Sequence, residues 1–188
     1  AGTWVVVAPK QAAAVSASLS AALSSRGCEV ATWEATTDRG AMASQCRALG
    51  EGVRGFISLC AWDDEAAGHV PSGFRKWVAL LQGISDAGLE VPSWALTQGA
   101  AAAESQDKVS HPKQALYWGA GRVVSLEQPG RWGAVVDMPA APEDADWSSL
   151  CETVLPQSQE DQVAVRGGSV KVRRLVRSMA VAKESTWV

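Results

Sequence analysis

The chain has 188 residues, 47% hydrophobic and 20% charged, with a net charge of −3. That is enough apolar material for one buried core, and a charge balance that offers no electrostatic grip on nucleic acid or an acidic membrane surface. No apolar run approaches the ~20 residues that span a bilayer, and Ala1-Gly2-Thr3-Trp4 lacks the regions of a signal peptide, so a cytoplasmic protein forming one domain over residues 1–188 is expected.

In chain order, Trp4 to Ala8 is a short apolar run that reads as a strand. Gln11 to Arg26 follows as a helix, with Val15, Leu19 and Leu23 at helical spacing and Gly27 as its stop. The unit repeats. Cys28 to Trp33 predicts a second strand, Arg39 to Leu49 a helix, and Val53 to Cys60 a third strand. Phe74, Trp77, Val78, Leu81 and Ile84 mark one face of a helix ending near Gly88, and Val91 to Thr97 is the next strand, with Pro92 near its start.

Gln98 to Ser110 is polar and alanine-rich and predicts a surface connection, after which Pro112 suits the first turn of a helix. Ala115, Gly119, Val123 and Leu126 fall on one stripe of that helix. Gly119 and Gly121 each weaken it by about 1 kcal/mol relative to alanine, so close packing of the backbone on a neighbour is the expected compensation. Gly133 to Asp137 returns as a strand, Trp147 to Leu155 is a short helix, and Gln162 to Arg166 and Ser169 to Val176 flank Gly167-Gly168 as a hairpin. Alternating strands and helices imply an α/β fold: a truncated Rossmann-like, mostly parallel sheet with helices on both faces and an antiparallel hairpin at the end.

Such a sheet invites a dinucleotide hypothesis, which the first strand-to-helix turn tests. A pyrophosphate needs glycines there, so that backbone and helix N–H groups can approach it. The turn reads Ala8-Pro9-Lys10-Gln11-Ala12-Ala13, and no Gly-x-Gly-x-x-Gly occurs anywhere. Glu34, where an acidic residue would hold a ribose hydroxyl, reads as a solvated carboxylate.

The sole tyrosine, Tyr117, has no lysine within a helical turn after it, which favours packing over acid catalysis. Asp63, Asp64 and Glu65 read as a solvated face, and neither His69 nor His111 stands out as a base. Cys28, Cys46, Cys60 and Cys151 are widely spaced, suggesting neither zinc site nor disulfide framework but buried thiols acting as small apolar groups. No catalytic, cofactor-binding or metal-binding residue is therefore expected. Nine tryptophans are too many to leave exposed, and several must lie in the core.

Several motifs together carry a resemblance. The run Val91 to Ala100, Gln114-Ala115 through Trp118-Gly119-Ala120-Gly121-Arg122, Leu126-Glu127-Gln128-Pro129, Arg131-Trp132-Gly133 and Asp137-Met138-Pro139 looks like the structural subdomain of modular type I polyketide synthase ketoreductases. Gln162 to Arg166 and Arg173 to Arg177 are similar to that subdomain's end. Ala120 departs from the pattern, standing where the family usually has leucine.

The resemblance implies a ketoreductase of two Rossmann-like halves. The first binds no cofactor and braces the second, which holds NADPH and the catalytic serine, tyrosine, lysine and asparagine. That catalytic subdomain is expected to follow residue 188, and Trp187, Val188 and Arg177 are the candidate interface with it. The parent would reduce a β-ketoacyl group on an acyl carrier protein to a β-hydroxyacyl group. The alternative is an autonomous interaction module that recruits an acyl carrier protein or another synthase domain through a basic patch of Arg166, Arg173, Arg174 and Arg177.

Overall fold

A computed structural model describes residues 2–155, 160–174 and 177. The elements follow the alternation expected: β1 (Thr3–Ala8), α1 (Ala13–Ser24), β2 (Glu29–Glu34), α2 (Arg39–Arg47), β3 (Val53–Ser58), two two-residue strands β4 (Ala66–Ala67) and β5 (Val70–Pro71), α3 (Ser72–Asp86) and β6 (Ser93–Gln98). Then come α4 (Ala115–Glu127), β7 (Trp132–Met138), α5 (Asp144–Ser149) continuing as a π-helical turn Leu150–Val154, β8 (Gln162–Arg166) and β9 (Ser169–Val172). The seven-stranded sheet runs β2-β1-β3-β6-β7-β8-β9, parallel except for the β8–β9 hairpin, while β4 and β5 form a separate small hairpin.

Because both faces of a parallel sheet are covered, its strands alternate between two cores. Val6, Ile57, Leu96 and Val136 point to one face, where Leu19 and Leu23 of α1 and Trp147 and Leu150 cover them. Val5, Phe56, Ala95 and Val135 point to the other, under Met42 of α2, Trp77 and Leu80 of α3 and Tyr117 of α4. Five tryptophans, Trp4, Trp77, Trp94, Trp132 and Trp147, are buried. Trp4 and Trp94 meet with ring centroids 5.2 Å apart.

Turn chemistry fixes how the elements join. After α1 the Gly27 N–H donates to the Ser24 carbonyl and the Cys28 N–H to that of Leu23, a closure that needs the left-handed φ of 74° at Gly27. Gly167 and Gly168 have φ of 52° and 72°, the geometry of a two-residue hairpin turn. That hairpin is tied to α5, since Asp146 accepts the Gly168 N–H at 2.9 Å while also capping its own helix.

The face that α4 presents to the sheet corrects the sequence reading. Ala115, Gly119, Val123 and Leu126 are exposed, whereas Tyr117 and Gly121 face inward. The expectation of close backbone packing holds at Gly121, where an added Cβ would lie 2.8 Å from Cζ2 of Trp132. It does not hold at Gly119, where a Cβ would meet nothing within 4 Å among the described residues. Gly121→Ala is expected to destabilise the chain by about 1–2 kcal/mol despite alanine's higher helix propensity, because a buried indole must move. Urea denaturation monitored by tryptophan fluorescence measures it, and a gain in stability would contradict the packing described.

Candidate functional site

In open α/β sheets ligands sit outside the carboxyl ends of the strands, where the strand order reverses. Here that point lies between β1 and β3. In the turn after β1 the Ala12 N–H donates to the Pro9 carbonyl at 2.9 Å, the Ala13 N–H donates to that of Lys10, and Pro9 has no N–H. After β3 the Leu59 N–H donates to the Val7 carbonyl at 2.8 Å, and a 3-10 turn, Cys60–Trp62, folds over the strand ends with Cys60 and Ala61 buried. The first turn of α3 seats on it so closely that a Cβ on Gly73 would stand 1.9 Å from the Cys60 carbonyl oxygen. Glu34 is exposed and pairs with Lys10 at 3.4 Å, in keeping with a solvated carboxylate. A turn with no glycine cradle and with Pro9 at its centre does not fit the pyrophosphate of NADPH.

Asp63 is not part of a solvated face. It is 1% exposed, pairs with Lys76 at 2.7 Å and accepts the Glu65 N–H, while Asp64 and Glu65 remain exposed. Burial opposes its ionisation, but hydrogen bonds from Lys76, Ser72 and the Glu65 backbone outweigh burial and hold its pKa below the ordinary carboxylate value. The triplet looked solvated because Lys76, its cation, arrives from thirteen positions downstream on α3.

The densest polar constellation caps β6, β7 and β8. Asp137, with no exposure, accepts the Thr97 hydroxyl at 2.7 Å, the Ala100 N–H at 2.8 Å and the Arg166 Nη2 at 2.7 Å. Arg166 also donates to the carbonyls of Asp137, Val165 and Ala101 and, through Nε, to Asp107 at 2.8 Å. Asp107 in turn accepts the Ala103 N–H, and these bonds hold its pKa down against burial. Buried Gln114 accepts the Gln98 N–H and donates to the Ala61 carbonyl, both at 2.8 Å, joining the α4 end to both loops. Here the connection after β6 is bolted down rather than merely lying on the surface. Sequence reading missed this centre, although Asp137 ending an apolar strand is a signal that a partner must exist.

Tyr117 is buried against Phe74 and Trp77, with centroids 5.3 and 5.1 Å away, its hydroxyl finds no partner among the described residues, and burial pushes its pKa far up. That is a packing role. His69 is exposed, and His111 Nδ1 lies 3.0 Å from Ser110 Oγ. No metal-holding group of His, Cys, Asp or Glu occurs among the described residues, and none of their helices is long and apolar enough to cross a membrane. Of the candidate interface, Arg177 is exposed, and Trp187 and Val188 lie outside the described residues. The supposed basic patch is depleted: Arg166 is only 12% exposed and committed to Asp137 and Asp107, and Arg174 pairs with Glu160 at 2.5 Å.

Comparison with known proteins supplies the remaining findings. The family model for the Rossmann fold domain of the polyketide synthase extender module SpnB matches residues 3–175. The chain is 36% identical over 187 residues to the pikromycin polyketide synthase component PikAII of Streptomyces venezuelae, spanning 94% of this chain and 5% of that protein. It superimposes on a C2-type ketoreductase from a modular polyketide synthase with a TM-score of 0.89 at 35% identity, covering 99% of this chain and 43% of that one. On a structure of A-type ketoreductases the TM-score is 0.88 at 34% identity, covering 98% and 40%. The chain thus spans under half of either solved ketoreductase.

Arg166→Met should cost about 3–5 kcal/mol, measured by thermal or urea unfolding, since it strands the Asp137 charge. With their folded pKa values depressed, Asp63 and Asp107 contribute stability that is whole above their unfolded pKa near 4 and lost as pH falls through the folded values. Lys76→Met should therefore lessen the stability lost between pH 5 and 3, and an unchanged profile would contradict this assignment. Among the thiols, burial pushes Cys46 and Cys151 up to about 11 and Cys60 up to about 12, so partly exposed Cys28 should react first with an alkylating reagent at pH 8.

Proposed function

The chain belongs to the Rossmann fold subdomains of modular polyketide synthase ketoreductases, and we propose from that premise that it is the noncatalytic half, which braces a nucleotide-dependent catalytic half. The observation that carries this reading is the strand-order reversal between β1 and β3, where a cofactor would lie. The Cys60–Trp62 turn folds beside it, and the turn after β1 carries Pro9 and no glycine where a phosphate cradle would need one.

A rigid edge suits a brace. The Arg166, Asp137 and Gln114 bonds immobilise loops that in a binding domain would have to open around a ligand. In the parent enzyme, the partner half would bind NADPH and transfer its hydride to a β-ketoacyl group carried on an acyl carrier protein. This half would contribute a fixed surface and no reacting atom. Recruitment of an acyl carrier protein by this chain itself is the weaker reading, because Arg166 is withdrawn from the basic patch it needs.

Fluorescence titration of the chain with NADPH is expected to show no saturable binding, whereas the intact ketoreductase should bind it. Coexpression with the catalytic half should raise that half's thermal stability or reductase activity. Micromolar affinity of the isolated chain for NADPH would overturn the proposal.

A further inference from the structure

The sheet divides the four thiols into two pairs. Cys46 and Cys60 lie in the core under α2 and α3, whereas Cys151 belongs to the core under α1 and α5, with Cys28 packed against it. Strand backbones stand between the two cores, so each thiol can meet only the one on its own side. Cys46 and Cys60 are fully buried. Cys28 is half-buried and Cys151 is 8% exposed, and both line one cavity of about 370 Å³ at the amino ends of the strands, walled also by Trp4, Trp94, Arg26 and Arg54.

The backbone beside each thiol is tied to the backbone beside the other. Arg26, two residues before Cys28, donates to Glu152 at 2.6 Å and to the Ser148 hydroxyl at 2.8 Å. Glu152 follows Cys151 directly in the π-helical turn Leu150–Val154. One guanidinium thus clamps the segment that carries the first thiol to the helical turn that carries the second. Cys28 is held on its other side as well, because its N–H donates to the carbonyl of Leu23, which lines the same cavity. The two sulfurs also act on each other's charge. Burial pushes the pKa of Cys151 up to about 11, Arg26 works against that rise, and the Cys28 thiolate adds to it.

We propose that Cys28 and Cys151 form a modification site at which a peroxide installs a reversible disulfide, joining the end of α1 to the turn after α5. The site stands independently of the reading of this chain as a noncatalytic half. Half-buried Cys28 is the thiol that a peroxide reaches. Its thiolate attacks one peroxide oxygen, the O–O bond breaks, and Cys28 becomes a sulfenic acid as the other oxygen leaves in water. The Cys151 sulfur then attacks the Cys28 sulfur, the S–O bond breaks, and the departing hydroxide takes the Cys151 proton as a second water. Two thiols and one peroxide give one disulfide and two waters, with the sulfurs oxidised and the peroxide oxygens reduced. A small thiol reductant restores both cysteines by exchange.

The test exposes the native 188-residue chain to equimolar hydrogen peroxide at pH 8, alkylates the remaining thiols in denaturant and maps the peptides by mass. The expected product joins the Cys28 and Cys151 peptides within one chain, leaves Cys46 and Cys60 alkylated, and reverts with dithiothreitol. Cys151→Ser should stop the reaction at a Cys28 sulfenic acid that dimedone traps, and Cys28→Ser should slow thiol loss by about tenfold or more. Because the bond closes a loop of about 120 residues, the oxidised chain should melt about 5 °C or more above the reduced one, a gain absent from both variants. A dimedone adduct on wild-type Cys28 with no crosslink would overturn the proposal, as would a disulfide between chains or one that includes Cys46 or Cys60. An oxidised chain that melts below the reduced one would overturn it too, for the thiols would then have left their native positions to meet.

Discussion

A carboxylate that water cannot reach must be met by donors from its own chain, and Asp137 imposes that condition on the whole carboxyl edge of the sheet. Its donors come from three places: Thr97 on β6, the loop beginning at Ala100, and Arg166 at the end of β8. Arg166 then fixes Asp107, and with it the far end of the same loop. In the low dielectric of the strand ends these bonds are directional and mutually reinforcing. The ends of β6, β7 and β8 are thereby tied to one another and to the loop after β6.

Polar groups of the chain itself pair off at the ends of β6, β7 and β8, while α4 keeps an apolar side outward. The inner side of α4 shows how tightly the chain packs where it packs against itself, with Gly121 pressed to Trp132 and Tyr117 among Phe74 and Trp77. The outer side has no such partners among the described residues.

Much of the fold was legible in residue order. Strand positions, the glycine stop after α1 and the Gly167-Gly168 hairpin are all encoded within a few residues, by period and by turn chemistry. Most strand boundaries moved by one or two residues, as at Cys60, which belongs to the turn after β3 and not to the strand, whereas the second hairpin strand, expected to run from Ser169 to Val176, ends at Val172, with 175 and 176 outside the described residues. What escaped was non-local. Asp63 looked solvated because Lys76 is not its sequence neighbour, and Arg166 looked like a surface charge because Asp137 lies 29 positions away and Asp107 lies 59 away. The α4 stripe was legible as a stripe, but its direction was not, since aromatic Tyr117 and Trp118 on the opposite side competed successfully for the core. The absence of a glycine cradle was readable directly, because that requirement is local.

The position of Arg166 also orders events during synthesis. Strands β1, β2, β3, β6 and β7 all precede it, so a nascent chain emerging from the ribosome presents nearly the complete sheet while Asp137 still lacks its guanidinium. Domains settle as units once their last indispensable contact is available. For this one, the hairpin strand β8 acts as a latch: only after translation has carried it clear of the exit tunnel can the Asp137 carboxylate find its guanidinium.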